Sequence, residues 1–391
     1  MATLMAEHRC TIIGLVFLTI FFLWMDISLY YKVQEIKPHS MAITSSQIFP
    51  TSVNSPSINS GALNSDSKNG ASVYANNKNN EISSNLETEP SRLFSPFRGL
   101  SIKMMMMDQM NNYIFTPLAE IFNDITQLSK NFNSITPNMI SAAGVFWAIL
   151  AAKLVTYDNL IIHRLSVLFF QIRTFFDALD GIVARDHLGI KQHISLSNTS
   201  GYLVDGIADS IGFAAYLLGC YYYLRRNLPK FRLNSHHYLP VQIHDGSINN
   251  SKHNHSPTSF VITQLMPPKL LWTTRQVFFV ILCFALQLVI SCLCWNRYIE
   301  AYHVLLESPS LDPEQSDLQN EILKSSLMWV IMWFWRISNA QSLMQILLIF
   351  VYVNRLWDFL TWIQYIGFIE IISLSFLTEV HLNHVSSILT N

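Results

Sequence analysis

The sequence predicts an all-α membrane protein, a bundle of helices that crosses the bilayer several times. Half of its 391 residues are hydrophobic and only 13% are charged, whereas soluble domains carry about 25% charged residues. The apolar residues are gathered in runs long enough to cross a bilayer as helices, which takes about 20 residues each. The net charge of -1 provides no basic field for nucleic acid. We therefore predict a polytopic helical bundle that does not bind nucleic acid.

The chain begins with a predicted signal anchor and a long polar segment. Residues 11 to 30 are apolar, follow Arg9 and lack a small-residue cleavage site, so residues 1 to 33 are expected to hold a cytoplasmic tail and an uncleaved anchor span. Residues 34 to 103 are rich in Ser and Asn and poor in large apolar side chains. Such a composition does not offset the entropy lost on ordering, so we expect a disordered lumenal stem.

Residues 104 to 130 predict an amphipathic helix beside the membrane domain. Apolar residues recur there at helical spacing from Met107 to Leu128. A helix of this kind can lie in the membrane surface or pack against the other helices, and the spacing is compatible with both.

Residues 131 to 380 are predicted to form the membrane domain, followed by a C-terminal tail over residues 381 to 391. Its apolar segments are residues 138–157, 161–182, 201–224, 275–297, 338–353 and 356–377. They give a six-span core in addition to the N-terminal anchor. Residues 325 to 335 have three interpretations: an eighth span, a re-entrant segment, or an extension of the 338–353 segment.

Basic residues near the helix ends predict the orientation. With the N-terminus in the cytoplasm, the cytoplasmic connections and their flanks hold most of the Lys and Arg residues of the membrane domain, and the opposite side receives an acidic loop between Glu300 and Glu321. Positive charge near helix ends marks the cytoplasmic side. We therefore expect the loop of residues 186 to 200 to face the lumen.

Four aspartates in the predicted spans are the main functional signal, because ionisable groups within a membrane are costly. Asp177 and Asp180 are three residues apart, and Asp205 and Asp209 are four apart, so each pair lies on one helix face. Two adjacent helices would then direct four carboxylates at each other. A hard divalent cation would offset their repulsion through oxygen ligands. The alternative is that these acids pair with arginines such as Arg173 to hold helices together.

Small residues and an arginine are interleaved with the acids. Gly181 and Ala184 share the face of the first pair, and Gly201 shares that of the second. Small side chains let a ligand or another backbone approach closely. Arg185 follows Gly181 by one helical turn and can offer several donors to a phosphate.

The combined pattern resembles the signature of the CDP-alcohol phosphatidyltransferase family. The matching runs are Asp177-Ala178-Leu179-Asp180-Gly181-Ile182-Val183-Ala184-Arg185 and Gly201-Tyr202-Leu203-Val204-Asp205-Gly206-Ile207-Ala208-Asp209, with Thr136-Pro137-Asn138-Met139-Ile140-Ser141 resembling the start of the first core helix. The resemblance covers about residues 108 to 377. One difference is the fifteen residues between Arg185 and Gly201, which is more than most members have.

The resemblance implies a role for each motif position. The metal ligands would be Asp177, Asp180, Asp205 and Asp209, with Asp209 also the catalytic general base. The CDP-alcohol would be bound by Asn138, Asp177, Gly181, Ala184, Arg185 and Gly201. The metal would be Mn²⁺ or Mg²⁺, as two ions.

The long loop, the N-terminal anchor and the lumenal site together resemble the branch of the family that makes ceramide phosphoethanolamine. This implies CDP-ethanolamine as donor, ceramide as acceptor and a Golgi membrane location among membrane lipids, with a homodimer as an allowed assembly. Two alternatives stay open. One is a diacylglycerol ethanolamine- or choline-phosphotransferase of the same family, and the other is a multi-span membrane protein without catalytic activity.

Overall fold

The computed structural model describes residues 2–35, 101–128, 136–187, 200–235, 268–307 and 313–390. Within these ranges the regular structure is entirely helical, as predicted. The helices are α1 (Ala2–Glu35), α2 (Ile102–Met106), α3 (Thr116–Thr126), α4 (Pro137–Val155), α5 (Leu160–His187), α6 (Ser200–Ser235), α7 (Pro268–Leu306), α8 (Pro313–Lys324), α9 (Ser326–Ser338), α10 (Ala340–Tyr352) and α11 (Leu356–Thr390), and a π-helical turn, Asn111–Phe115, precedes α3. Most of the predicted stem and of the 186–200 loop lies outside the described residues.

Five described helices are long and apolar enough to cross a membrane. They are α1 over Thr11–Glu35, α4 over Pro137–Val155, α6 over Leu203–Asn227, α7 over Thr274–Leu306 and α11 over Leu356–Thr390. Helix α5 has 28 residues and differs from these five in its charged side chains; it packs between α4, α3 and α10. The predicted all-α, multi-pass membrane bundle is confirmed.

Helices α4, α5 and α6 pack closely and carry the predicted site. A Cβ added to Gly219 of α6 would lie 2.4 Å from the carbonyl oxygen of Ala152 on α4, so a larger residue cannot fit without moving one helix. The Ser166 hydroxyl of α5 donates to the Ala151 carbonyl of α4 at 2.8 Å and lies 3.2 Å from the Tyr216 hydroxyl of α6. These contacts set the rotation of α6 and therefore the face on which its two aspartates lie.

The predicted amphipathic helix is interrupted. Met107 has an extended backbone that ends α2, and Asp108 then accepts a hydrogen bond from the Asn111 amide to start a new turn. Helix α2 is buried against α7 and α9. Helix α3 packs one side on α5 and leaves Ile125 and other apolar residues exposed. The N-terminal half is thus packed in the bundle, whereas α3 has the exposed apolar face of an interfacial helix.

Residues 325 to 335 form most of α9, a helix separate from α10. Asn339 has an extended backbone and its side chain accepts a hydrogen bond from the Ser342 amide, so it ends α9 and caps α10. Each of these helices has 13 residues and rises about 20 Å, less than the hydrocarbon core of about 30 Å. The structure therefore favours the interpretation as an extension of the 338–353 segment, broken at Asn339. Helix α11 continues to Thr390 and includes most of the predicted C-terminal tail.

The N-terminal helix α1 is docked on the bundle through a buried carboxylate. Asp26 is 2% exposed and accepts hydrogen bonds from Tyr113, Trp333 and Gln109 at 2.7, 2.9 and 2.5 Å. It also lies 3.4 Å from Arg336 of α9, which is fully buried. Burying charges is costly unless they are paired and hydrogen-bonded. The number of partners around Asp26 makes α1 a component of the bundle as well as an anchor.

Candidate active site

The four predicted aspartates meet between α5 and α6. Carboxylate oxygens of Asp177, Asp205 and Asp209 all lie within 4.8 Å of one another. Asp180 is 4% exposed and accepts a short hydrogen bond from the Ser141 hydroxyl of α4. The structure thus brings three acids to one point and holds the fourth beside them through α4.

A buried arginine contacts two of these acids. Arg173, one helical turn before Asp177, pairs with Asp209 and lies 3.8 Å from Asp177. Its side chain is 3% exposed, and its guanidinium lies 5.7 and 5.0 Å from the ring centroids of Phe170 and Phe213. A cation over an aromatic face is stabilised electrostatically. The pairing with Arg173 that the sequence allows as an alternative is present, and it coexists with the acid cluster.

The acid cluster has the chemistry of a divalent cation site. Three carboxylates this close carry more negative charge than one arginine offsets. Asp205 Oδ1 is buried without a hydrogen-bond partner among the described residues. Mg²⁺ and Mn²⁺ prefer carboxylate oxygen ligands. The cluster of Asp177, Asp205 and Asp209 could therefore hold a metal ion.

A cavity of about 540 Å³ opens beside the acids. One part of its wall is polar and contains Asp177, Asp180, Asp205, Asp209, Gly181 and Arg185. Another part is apolar and contains Phe213, Ala214, Leu217, Ala285, Leu288 and Val289. A cavity with convergent polar groups and an apolar wall suits an amphiphilic ligand.

Three of the predicted substrate residues lie outside this cavity wall. Asn138 is exposed on the first turn of α4, Gly201 is exposed at the start of α6, and Ala184 is half-buried on α5. Gly181 does line the cavity, and a Cβ added there would lie 3.5 Å from Nη1 of Arg185. The Arg185 side chain therefore lies over Gly181, on the same part of the wall.

Three further polar residues line the cavity from the segment before α3. They are Lys103, Asp108 and Asn111. Burial lowers the pKa of Lys103, with a further lowering by Arg185. Burial raises the pKa of Asp108 from 3.8 to about 6. The sequence does contain an indication that Lys103 and Asp108 are functional, because they are the charged residues of an otherwise uncharged, Met-rich stretch between residues 99 and 119.

Fold and site together define a class of protein, a multi-pass membrane protein with a carboxylate cluster that opens on a cavity for an amphiphile. The chain matches the family described as Ceramide phosphoethanolamine synthase over residues 8–391, so it belongs to that family. A Ceramide phosphoethanolamine synthase from Drosophila melanogaster is 38% identical over 297 residues, which cover 76% of this chain and 71% of the relative. No solved structure matches the chain.

The comparisons confirm the predicted family and identify the chain as a membrane transferase of lipid biosynthesis. They also disfavour the alternative of a non-catalytic membrane protein. The matched range includes all of α1 from residue 8 onward, in agreement with the contacts that dock α1 on the bundle.

Proposed function

We propose that the protein transfers phosphoethanolamine from CDP-ethanolamine to the primary hydroxyl of ceramide and releases CMP. The observation that carries this proposal is the acid trio of Asp177, Asp205 and Asp209, which lies in the wall of a cavity. Another part of that wall is apolar. The trio suits a diphosphate held through a divalent ion, and the apolar wall suits the chains of a lipid acceptor. Membership of the ceramide phosphoethanolamine synthase family supports the choice of product.

The proposed cofactor is Mn²⁺ or Mg²⁺, as two ions held by Asp177, Asp180, Asp205 and Asp209. A bound divalent cation would neutralise charge on the diphosphate and on the departing CMP. Arg185 lies on the same wall and can donate several hydrogen bonds to phosphate oxygens. Further proposed nucleotide contacts are Asn138 on α4, Ala184 on α5 and Gly201 on α6, together with Gly181 and Asp177.

Asp209 is the proposed general base. It lines the cavity one helical turn before Phe213, the beginning of the apolar wall on α6, where a lipid hydroxyl would approach. Asp209 would take the proton of the ceramide hydroxyl as its oxygen bonds to the β-phosphorus of CDP-ethanolamine, and the bond from that phosphorus to CMP would break. Arg173, paired with Asp209, would hold the carboxylate in place.

We further propose that the enzyme resides in the Golgi membrane among lipids that supply its acceptor, with its active site facing the lumen. The distribution of basic residues near the helix ends supports this orientation. The family resemblance is compatible with a homodimer.

An acceptor assay tests the proposed reaction. Purified full-length protein would be incubated with labelled CDP-ethanolamine, Mn²⁺ and either ceramide or diacylglycerol, with CDP-choline as an alternative donor. We expect labelled ceramide phosphoethanolamine, and none when a chelator removes the metal. Exclusive use of diacylglycerol would replace this function by the phosphotransferase alternative, and absence of turnover with every pair would favour a non-catalytic protein.

A further inference from the structure

The segment 101–111 adds two opposite charges to the cavity that the proposed reaction does not yet use. Lys103 and Asp108 line the same cavity as the acids of α5 and α6. The segment is held firmly, because the Ile102 amide donates to Glu307 at 2.7 Å and Trp295 donates to the Met106 carbonyl at 2.8 Å. Its two charges therefore have defined positions in the cavity wall.

Asp108 is a buried carboxylate with unused hydrogen-bonding capacity. It is 3% exposed, and it accepts the Asn111 backbone amide at 2.9 Å on one oxygen and the Asn111 side-chain amide at 3.0 Å on the other. Each carboxylate oxygen can accept a second hydrogen bond. No ion pair of Asp108 is present in the described ranges, and the charge of Arg336 attracts this carboxylate only at longer range. An unpaired buried carboxylate is costly, and its raised pKa reflects that cost.

Asn111 supplies a second acceptor beside this carboxylate. Its side-chain nitrogen donates to Asp108, while its Oδ1 is buried and has no hydrogen-bond partner in the described part of the chain. Both residues line the cavity. A carboxylate next to an amide oxygen offers negative charge and free acceptor positions, which suit a primary ammonium with its three N–H donors.

Lys103 has the opposite charge and lies toward the acid cluster. Its electrostatic neighbours are Arg185, Asp205 and Asp177. The cavity wall therefore carries a cation near the proposed phosphate position and an anion on the same segment. A phosphoethanolamine group is itself a zwitterion with a phosphate at one end and an ammonium at the other, so the two charge patterns are complementary.

We propose that Asp108 and Asn111 form the subsite that binds the primary ammonium of the donor headgroup. The identity of the donor rests on the proposed function. In this arrangement the ammonium offsets the buried charge of Asp108 and donates to its free acceptor positions and to Asn111 Oδ1. A trimethylammonium would also offset the charge of Asp108, but without an N–H donor it could form a hydrogen bond with neither group.

The test compares donors that differ in the amine. Wild-type full-length protein is first assayed with CDP-ethanolamine, and absence of turnover there would defeat the proposed function independently of this subsite. For Asp108→Asn we expect the KM for CDP-ethanolamine to rise about tenfold or more, because the ammonium loses the negative charge of its hydrogen-bond acceptor. The inhibition constant of CMP, which lacks the amine, should stay within about twofold of wild type.

A donor without the amine provides the second readout. The wild type should prefer CDP-ethanolamine to CDP-ethanol, and Asp108→Asn should narrow that preference. Asp124→Asn is the matched control, since Asp124 lies exposed on α3 and outside the cavity. If Asp108→Asn does not fold, Asn111→Leu removes the second acceptor and should narrow the same preference.

The opposing possibility is that Asp108 serves only to cap the π-helical turn. In that case Asp108→Asn would alter CDP-ethanolamine, CDP-ethanol and CMP binding equally, or none of them. Either pattern would overturn the ammonium subsite.

Discussion

Asp209 makes the shorter of the two Arg173 contacts and lies one helical turn before Phe213 of the apolar wall. We predict that Asp209→Asn lowers transfer by about 10²- to 10⁴-fold, the usual range for a general base. The amide keeps the shape of the side chain and can still accept a hydrogen bond from Arg173, so the protein should remain folded. The measurement is transfer of labelled headgroup at saturating donor, with thermal unfolding in detergent recorded in parallel.

Asp358→Asn is the control for that substitution. Asp358 is 55% exposed on α11 and pairs at 3.1 Å with Arg355, a surface contact of small energetic value. Its substitution should leave transfer unchanged. Retention of wild-type turnover by Asp209→Asn would remove Asp209 from its proposed role.

Arg173 and a divalent ion would both offset the negative charge of the same carboxylates. When one of them is lost, the stability of the protein should depend more strongly on the other. We predict that Arg173→Met lowers the stability of the metal-free protein by about 3–5 kcal/mol, as expected when one partner of a buried pair is removed. Mn²⁺ should recover part of that loss. The measurement is the unfolding temperature in detergent with chelator and with Mn²⁺.

Arg297→Met controls for the loss of a cation elsewhere. Arg297 is 65% exposed and pairs with Glu379 at 2.9 Å. Arg297→Met should leave the unfolding temperature unchanged both with chelator and with Mn²⁺. An equal fall for Arg173→Met with and without Mn²⁺ would contradict the shared role of arginine and metal.

The raised pKa of Asp108 predicts a pH dependence of donor binding. Burial raises this pKa to about 6. The two hydrogen bonds from Asn111 and the charge of Arg336 act in the opposite direction, and the charge of Asp177 acts in the same direction as burial. As the pH falls through 6 the carboxyl becomes protonated and loses the charge that the ammonium needs. The KM for CDP-ethanolamine should then rise by about tenfold between pH 7 and pH 5. Dividing the KM of the wild type by the KM of Asp108→Asn at each pH isolates the contribution of this carboxyl group. A constant ratio between pH 5 and pH 7, about one unit either side of the pKa, would contradict the prediction.

Helical spacing was sufficient to predict which acids of α5 and α6 face each other, because residues three or four apart share a helix face. It could not predict Asp108, which reaches the cavity from a segment that meets α5 and α6 only in the folded chain. It also could not predict that Asp180 bonds to Ser141 while the other three acids converge. Such contacts depend on the rotation of α4 and α6, which is set by packing at positions such as Gly219.

At the scale of elements, the docking of α1 on the bundle depends on the buried ion pair between Asp26 and Arg336. Arg336 is fully buried, and its guanidinium nitrogens have no hydrogen-bond partner in the described residues; Asp26 at 3.4 Å and the Tyr113 ring at 4.9 Å are its compensation. We predict that Asp26→Ala destabilises the protein by about 3–5 kcal/mol, because it removes the ion-pair partner of the buried Arg336. Thermal unfolding of the full-length protein in detergent measures this.

A double-mutant cycle distinguishes the pair from other effects. Arg336→Met removes the orphaned charge, so the double variant Asp26→Ala with Arg336→Met should be more stable than Asp26→Ala alone. Strict additivity of the two single changes would show that the contact does not couple α1 to α9.

The elements themselves could be predicted from apolar runs, but their interruptions could not. The runs predicted every long described helix because the length needed to cross a bilayer leaves few alternatives. The break at Asn339 and the extended Met107 follow from local capping, which apolar periodicity does not detect. Both Met107 and Asn339 line the cavity, so the two breaks help to shape its wall.

On the scale of the whole molecule, contacts between helix ends show which connecting segments lie at the same end of the bundle. At one end the Tyr223 hydroxyl donates to Asn354 at 3.1 Å, and the Arg164 guanidinium lies 4.9 Å from the Tyr352 ring centroid. These contacts join the start of α5, the later part of α6 and the α10–α11 turn, which the charge pattern assigns to the cytoplasm.

The opposite end is acidic and lies near the candidate active site. There the start of α2 bonds to Glu307 at the end of α7, and Gln34 of α1 donates to the Lys324 carbonyl at the end of α8 at 2.8 Å. Lys103, one residue after Ile102, lines the cavity with the four aspartates. The site and the acidic connections therefore belong to the same end of the bundle.

Because the site and the acidic connections share one end of the bundle, one topology experiment can decide whether the active site faces the lumen or the cytoplasm. Positive charge near helix ends marks the cytoplasmic side as a general rule. We therefore predict that a glycosylation acceptor on a spacer inserted within residues 188–199 is modified in cells, whereas one inserted within residues 236–267 is not. Catalytic activity of each insertion variant controls for correct folding, and enzymatic removal of the glycan identifies the shift in mass. Modification within residues 236–267 together with an unmodified 188–199 insertion would place the four aspartates on the cytoplasmic side. CDP-ethanolamine would then reach them without crossing the membrane.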